Sequence, residues 1–245
     1  MIIIPMLGNS SRFFKAGYSV PKYELPLAGH TVFYWVLQSF RKYFNSEHFL
    51  FLVREDFDGE KFVRNELEMA SIQSFEILSV RGTTEGQAAT VALGIKETSH
   101  LTDSEPIYIF NADSFMPDFS LPMFESGCGG VLDVFEGEGE HWSFVEPGNN
   151  NQVLRTTEKE RISNLCSNGF YAFSDANLFE EIYLEARKRK DAVNGEYYVA
   201  PLYNLLIEKG LLVNYRLVAD SGCIFCGTPD EYEALINGEW SGFGH

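Results

Sequence analysis

Short apolar runs alternate with segments of helical length along the first half of the chain, and this alternation limits the possible folds more than any other feature. The runs are continuously apolar, as in strands that are buried on both faces. They lie at residues 2–7, 48–53, 75–80 and 106–112. Helices are predicted between them, the first behind a capping Thr31, at residues 32–44, 60–70 and 87–98. This order indicates an α/β fold, in which helices flank a Rossmann-like, mostly parallel sheet.

The second half of the chain is less regular. Turns rich in glycine and asparagine separate short strand-like runs at residues 128–135, 142–146, 152–159 and 169–173. The turn at residues 147–151 has the composition of a β-hairpin. Further elements are predicted as helices at 175–190, 201–209 and 229–236, and as a strand at 211–218. We expect one domain over residues 1–245, with a small antiparallel subdomain in its second half.

The composition excludes several classes of partner. The formal net charge is -16, which argues against nucleic acid or an anionic membrane surface, since both need an extended basic face. No apolar stretch reaches the ~20 residues of a membrane span, and the first residues do not resemble a secretory signal. The four cysteines suggest free thiols in a reducing compartment. We therefore expect a cytoplasmic protein, either a monomer or a homodimer.

Residues 1–23 contain three cations and no acidic residue, in contrast to the acidic chain as a whole. An apolar run leads into small residues at 8–11, then Arg12, and later Pro21 and Lys22. A strand that leads into a loop of backbone donors beside cations is how α/β proteins bind polyphosphates. The loop is not a Walker motif, because no Gly-Lys-Ser/Thr follows it, and it lacks the further glycines of a dinucleotide fingerprint.

The stretch PMLGNSSRFFKAGYSVPKYELPL at residues 5–27 resembles the signature of the sugar-phosphate nucleotidyltransferases, a family that includes NDP-sugar pyrophosphorylases and small cytidylyltransferases. In that signature a strand, a small-residue loop and an arginine precede Pro-Lys. The resemblance implies a GT-A-like nucleotidyltransferase fold, in which Arg12 grips the β and γ phosphates and Lys22 stabilises charge at the reacting phosphate. It assigns nucleotide binding to the loop formed by Leu7, Gly8, Asn9, Ser10 and Ser11.

Two further segments extend the resemblance. TEGQAATV is similar to the family's base-reading segment, in which Gly86 and Gln87 meet the base, and an amide can donate and accept hydrogen bonds together. YIFNADSF resembles the strand that ends in the family's metal-binding aspartate, so Asp113 is implied to hold Mg²⁺, the expected cofactor. Both segments and the opening loop follow predicted parallel strands. We therefore expect all three to converge at one edge of the sheet.

The resemblance also implies an acceptor site. TEKER is similar to the family's Glu-Lys pair, with Glu158 on the acceptor's polar groups and Lys159 on its phosphate. SNGFYAF matches the strand that lines the same pocket through Gly169, and GEYY resembles a segment in which Glu196 faces the acceptor. The chain would thus consist of a nucleotide-binding part, residues 1–125, and an acceptor-binding part, residues 126–245.

The segment SGCIFCGTP departs from the family pattern. Many members carry a metal-binding aspartate two residues before Gly-Thr-Pro, and here Phe225 occupies that position. Asp220 is the nearest carboxylate. It is either a displaced metal ligand or a residue at the end of a strand.

The sequence therefore predicts a nucleotidyltransferase that joins CTP, UTP or dTTP to a small phosphorylated acceptor and releases pyrophosphate. A sugar 1-phosphate is the family's usual acceptor, and the product would serve capsule or surface-glycan biosynthesis. Three alternatives stay open. One is a CTP-dependent cytidylyltransferase for phosphocholine or an amino-acid phosphate. Another is a glycosyltransferase, although residues 113–115 lack its Asp-x-Asp motif. The third is a nucleotide-sensing module without catalysis, to which Phe225 would point.

Overall fold

A computed structural model of the chain describes residues 1–101, 105–219, 222–238, 240 and 242–243. In this part of the chain the strands are β1 Ile2–Pro5, β2 Pro26–Leu27, β3 His30–Thr31, β4 Phe49–Arg54, β5 Phe75–Val80, β6 Ile107–Phe110, β7 Ser114–Phe115, β8 Cys128–Glu136, β9 Ser143–Pro147, β10 Val153–Glu158, β11 Leu165–Phe173, β12 Leu212–Leu217 and β13 Ile224–Phe225. The α-helices are α1 Ser11–Lys15, α2 Val32–Gln38, α3 Gly59–Ala70, α4 Gln87–Glu97, α5 Ala176–Arg189, α6 Leu202–Glu208 and α7 Pro229–Asn237. Short 3-10 helices lie at Lys22–Glu24, Arg41–Tyr43, Glu55–Phe57 and Asn149–Asn151.

A nine-stranded sheet forms the centre of the molecule. The strands β6, β1, β4 and β5 are parallel neighbours in that order. Strand β11 runs antiparallel to β6 and also pairs with β8 and β9. The hairpin of β9 and β10 and the strand β12, which is parallel to β8, complete this half of the sheet. The predicted α/β class is confirmed, with flanking helices and antiparallel pairs in the second half.

The inner parallel strands β1 and β4 are buried on both faces, as their unbroken apolar sequences predict, whereas the edge strand β5 is only partly buried. Ile2 and Ile4 of β1 pack into one core with Phe51, whereas Ile3 packs into the other core with Leu50. All five side chains are fully buried. The helices α2 and α3 contribute to the first core, and α4, α5 and α6 contribute to the second. The sheet is therefore the middle layer between two sets of helices.

The first predicted helix is shorter than expected. Thr31 caps α2 through its side-chain oxygen, as predicted, but the helix does not continue to residue 44. Phe40, which is fully buried, lies just beyond its end and places its ring against Phe110 and Phe119, with centroids 5.1 and 5.0 Å apart. The packing of this ring into the core overrides the helical spacing of apolar residues, which predicts a longer helix.

Strand β11 begins before the predicted residue 169. Its pairing with β8 shifts register between Ser167 and Tyr171, which marks a β-bulge. Gly169 lies in the bulge with a φ of 92°, a conformation that glycine adopts without strain. The residues Ser-Asn-Gly resemble a turn in the sequence, but neighbouring strands on both sides hold them within the sheet.

Two expectations from composition can be compared with the structure. The four cysteines are buried and free. Within the described residues, no helix combines the length and the apolar character that crossing a bilayer requires. The hairpin predicted at residues 147–151 is also present and joins β9 to β10.

Helix α5 offers a test of how local capping contributes to stability. Asp175 Oδ1 accepts hydrogen bonds from the backbone N–H groups of Asn177 and Leu178, at 2.7 and 3.3 Å. Replacing Asp175 with alanine removes this cap and should lower the free energy of unfolding by about 1 kcal/mol in urea denaturation. The matched variant Asp175→Asn keeps an acceptor oxygen and should retain most of the stability. Equal losses in both variants would contradict the capping role.

Candidate active site

A cleft of about 640 Å³ opens at the carboxyl ends of the parallel strands. The loop after β1, the segment before α4 and the residues after β6 meet there, as their positions after strands predict. The predicted site residues that line the cleft are Leu7, Gly8, Asn9, Ser10, Ser11, Arg12, Lys22, Gly86, Gln87, Asp113, Glu158, Gly169 and Glu196. Lys159 lies outside this lining, and Asp220 lies outside the described residues.

The opening loop leaves β1 and turns back into the short helix α1. Ser10 makes the turn with a left-handed backbone, φ 47° and ψ 27°, and its Oγ accepts a hydrogen bond from the backbone of Lys22 at 3.2 Å. The side-chain oxygen of Asn9 accepts a hydrogen bond from the guanidinium of Arg54. No heavy atom lies within 4 Å of the position that a Cβ of Gly8 would take. The loop is therefore tied at two points while its glycine backbone stays open to a ligand.

Lys22 and Asp113 form an ion pair within the cleft. Lys22 Nζ donates to Asp113 Oδ2, and the two side chains are 23% and 21% exposed. The backbone N–H of Cys226 donates to the carbonyl oxygen of Asp113 at 2.8 Å and holds its backbone in place. The pair thus presents a cation and a carboxylate where partial shielding from water strengthens electrostatic interactions.

The segment before α4 is fixed to the loop that contains Tyr197. Gly86 has a φ of 110°, and a Cβ there would lie 2.7 Å from the backbone N and O of Tyr197, so glycine is required. Gln87 Nε2 donates to Asn111 Oδ1 at 2.5 Å. An amide has a further N–H and an acceptor oxygen beyond such a bond. Gln87 is therefore oriented at the cleft wall with hydrogen-bonding capacity for a base.

Glu158 places a buried carboxylate at the cleft. Its side chain is 5% exposed and accepts a hydrogen bond from Ser143 Oγ. Burial raises the pKa of Glu158, and the hydrogen bond from Ser143 and the charge of Lys159 partly offset this effect. Tyr171 OH lies 3.5 Å from the same Ser143 oxygen, and burial raises the pKa of Tyr171 to about 12. This region therefore provides carboxylate oxygens that can accept hydrogen bonds, together with a neutral phenol.

Lys159 is linked to the cleft by Tyr198. Its Nζ donates to Tyr198 OH at 2.6 Å and lies 4.5 Å from the centroid of the ring. Tyr198 OH donates in turn to the carboxylate of Glu196, and both of these residues line the cleft. Three of the predicted acceptor residues, Glu158, Lys159 and Glu196, are thus neighbours in space, and Lys159 Nζ also lies 3.8 Å from Glu158 Oε1.

The chain is similar to several solved structures. The nucleoside-diphosphate-sugar pyrophosphorylase from Vibrio cholerae RC9 is 44% identical, with a TM-score of 0.91, and the match covers 97% of this chain and 100% of that chain. The chain belongs to the sugar-phosphate nucleotidyltransferase family. The family and the enzyme class, nucleotidyltransferase, predicted from the sequence are thereby confirmed.

Two more distant structures share the fold of this nucleotidyltransferase. The inositol-1-phosphate CTP transferase from T. maritima is 16% identical, with a TM-score of 0.73, over 96% of this chain and 94% of that chain. A UDP-glucose pyrophosphorylase complexed with UDP-glucose is 14% identical, with a TM-score of 0.71, over 98% and 97%. At these identities the likeness concerns the fold alone. No protein-family model and no curated protein matches the chain.

The nucleotidyltransferase cleft also contains residues that the sequence motifs do not single out. Asn111 stands two residues before Asp113, and a signal for it exists, because it too follows an apolar strand. Trp142 and Asn168 also line the cleft. For them no local signal exists, since the sequence does not show which side of an antiparallel strand faces the substrates.

Phe225 takes the position of the second metal-binding aspartate of many family members. Strand β13 pairs it with Ser114, the residue after Asp113. The ring of Phe225 packs against Phe135 and Trp142, with centroids 4.8 and 5.0 Å away. An apolar aromatic cluster therefore replaces a carboxylate beside Asp113.

The residues around Asp113 fit a magnesium ion. Mg²⁺ prefers oxygen ligands and is often held by one or two carboxylates together with substrate phosphates. A Cβ at Gly227 would stand 3.0 Å from Asp113 Oδ2, so the glycine leaves space beside this oxygen. A single aspartate next to the opening loop, which is predicted to bind phosphates, meets the requirement even with Phe225 in place of the second aspartate.

Gly169 offers a test of the cleft wall. A Cβ there would lie 2.3 Å from Asn111 Nδ2, so Gly169→Ala should displace Asn111 and with it the amide of Gln87. Titration calorimetry with CTP, UTP and dTTP first identifies the nucleotide that the wild type binds best. We expect Gly169→Ala to bind that nucleotide about 10-fold more weakly.

The control is Gly210→Ala. Gly210 has a φ of 79° but open space around its Cβ position and no place in the cleft. Both variants should lose about 1–2 kcal/mol of stability through backbone strain. Only the variant at Gly169 should lose nucleotide affinity, and an equal loss in the control would contradict this explanation.

The raised pKa of Glu158 predicts a dependence of stability on pH. Above the ordinary glutamate pKa of about 4.3, the unfolded chain releases the Glu158 proton more readily than the folded protein, which destabilises the fold. Glu158→Gln should therefore be more stable than the wild type at neutral pH, and the difference should vanish as the pH falls below that value. Urea denaturation from pH 3.5 to 8 measures it.

The control for this prediction is Glu140→Gln, at an exposed position. It should change the free energy of unfolding by less than about 0.5 kcal/mol. A Glu158→Gln protein that is less stable than the wild type at neutral pH would show that the charge of Glu158 stabilises the fold.

Proposed function

We propose that this chain joins a nucleoside triphosphate, CTP, UTP or dTTP, to a sugar 1-phosphate and releases pyrophosphate. The observation that carries the proposal is the Lys22–Asp113 ion pair in a cleft that the opening loop and Glu158 also line. The backbone N–H groups of the loop suit the phosphates of the nucleotide, and the carboxylate oxygens suit the hydroxyl groups of the sugar. The phosphates of the two substrates would then meet at the ion pair. The family of the chain supports the same reaction.

The acceptor phosphate attacks the α phosphorus in line with the leaving pyrophosphate. Lys22 neutralises charge that develops on the reacting phosphate, and Arg12, exposed on the first turn of α1, holds the pyrophosphate. Positioned cations and backbone donors provide most of the catalysis in transfers of this kind. Ser10 supports both roles, because it fixes the loop to the backbone of Lys22.

Asp113 is the residue that would hold Mg²⁺, the proposed cofactor. The ion supplies positive charge next to the phosphates when it is bound. Lys22 donates to the same carboxylate, so the ammonium and the metal ligand are positioned together in the protein itself. Because these groups are already ordered, less conformational entropy is lost when the substrates bind.

Glu158 and Glu196 are the proposed partners of the acceptor's polar groups. A sugar presents hydroxyl donors, and a carboxylate accepts from them. Lys159 reaches towards the same region through Tyr198 and is the proposed contact for the acceptor phosphate. Domain roles follow this division, with nucleotide binding in residues 1–125 and acceptor binding in residues 126–245.

A second candidate acceptor is phosphocholine or an amino-acid phosphate, with CTP as the nucleotide. The observation that favours it is the combination of two carboxylates, Glu158 and Glu196, with the rings of Trp142, Tyr171 and Tyr198 along the same cleft. Aromatic faces and carboxylates together attract ammonium groups. Either product would serve capsule or surface-glycan biosynthesis, and the free buried thiols suit a cytoplasmic enzyme.

Pyrophosphate release from a matrix of nucleotides and acceptors tests the proposal. CTP, UTP and dTTP are each combined with Mg²⁺ and with sugar 1-phosphates, phosphocholine or amino-acid phosphates. Release with a sugar 1-phosphate is expected, whereas release only with an ammonium-bearing acceptor would establish the second candidate. Nucleotide binding without release from any pair would point to a sensing module, and transfer from a preformed nucleotide sugar would point to a glycosyltransferase.

Lys22→Ala should lower kcat by at least ~100-fold, because it removes a charge contact to the transition state. Lys15→Ala is the matched control, since Lys15 belongs to the same cationic segment but is exposed and does not line the cleft. The control should keep wild-type kcat. Steady-state release of pyrophosphate measures both, and near wild-type turnover in Lys22→Ala would refute the assigned role.

A further inference from the structure

Two histidines and a glutamate form a cluster at the amino ends of the parallel strands, away from the catalytic cleft. His48 directly precedes β4, Glu76 belongs to β5, and His100 follows α4. One potential ligand atom from each side chain lies within 4.8 Å of the other two. None of the three lines the cleft. The predicted function therefore leaves the cluster without a role.

The ring of His48 has one nitrogen engaged and one unused. Nδ1 lies 2.9 Å from Ser74 Oγ, whereas Nε2 is buried and has no hydrogen-bond partner among the described residues. Buried polar atoms without a partner are rare in folded proteins. Donation from Nδ1 to the serine leaves the lone pair on Nε2, the arrangement in which a second hydrogen bond orients a metal-binding histidine.

One hydroxyl group contacts the side chain of Glu76 and the backbone of His100. Thr98 Oγ1 donates to Glu76 Oε2 at 2.6 Å and accepts a hydrogen bond from the backbone of His100 at 3.2 Å. The ring of His100 stacks on that of His48, with centroids 4.3 Å apart. The side chains of His48 and Glu76 thus each have a hydrogen bond of the kind that orients metal ligands, and the imidazole of His100 is placed beside them by stacking.

We propose that His48, Glu76 and His100 bind a divalent transition-metal ion of the zinc class. Two imidazole nitrogens and one carboxylate oxygen form a donor set that Zn²⁺ accepts, with water in the fourth position, whereas Mg²⁺ prefers oxygen ligands alone. The ion joins the start of β4 and β5 to the segment after α4. Because α4 begins at Gln87, the ion braces the far end of the helix that orients the base-reading amide.

Zinc titration of the full-length protein tests this proposal. All variants carry Asp113→Asn, which removes the proposed magnesium ligand of the cleft as a competing site. Calorimetry with Zn²⁺ should detect one equivalent in this background. His100→Ala, which changes an exposed side chain, and Glu76→Gln should each weaken that binding by at least ~10-fold.

His30→Ala is the control, because His30 is exposed and belongs to β3, not to the cluster. It should bind Zn²⁺ as the background protein does. Thermal unfolding adds a second readout, in which Zn²⁺ raises the Tm of the background protein and of His30→Ala but not of His100→Ala. Absence of zinc binding in the background protein, or unchanged affinity in both cluster variants, would overturn the proposal.

Discussion

Strand β11 is the element on which the rest of the structure depends. It pairs antiparallel with β6 over Phe170–Phe173 and so attaches the second half of the chain to the parallel sheet. The bulge at Gly169 then brings the strand against Asn111, at the end of β6. A single pairing therefore closes the sheet and forms one wall of the cleft. Without it, the opening loop would not share a cavity with Glu158 and Glu196.

The cleft combines opposite charges within an acidic protein. The opening segment supplies cations and backbone donors, while Glu158 and Glu196 supply carboxylates. A net charge of -16 repels a polyphosphate in general, so the local cations must provide the attraction. The ion pair with Asp113 holds Lys22 in place, so the positive charge of Lys22 stays at one position in the cleft. The carboxylates, by contrast, suit an acceptor that presents hydroxyl or ammonium groups.

Much of the fold follows from the sequence because the decisive signals are local. Continuous apolar runs identify the buried strands, and Thr31 marks the start of α2. The boundaries that were predicted wrongly have tertiary causes. The helix α2 ends before Phe40, whose ring packs between phenylalanines that are distant in sequence. The bulge at Gly169 resembles a turn as long as its neighbouring strands are unknown. The same limit applies to Trp142 and Asn168, whose orientation only the sheet determines. The order of motifs along the chain located most of the cleft. That Lys159 lies outside the lining, in contact with Tyr198 and Glu158, depends on tertiary packing that local patterns do not show.

Direct attack of the acceptor phosphate on the α phosphorus is the central step of the proposed reaction. The stereochemistry at that phosphorus tests it most directly. A nucleoside α-thiotriphosphate of known configuration is converted to product, and the configuration of the product is determined by phosphorus NMR. A single in-line attack predicts inversion. Retention would mean that a side chain of the enzyme had carried the nucleotidyl group, and it would contradict direct transfer in this cleft.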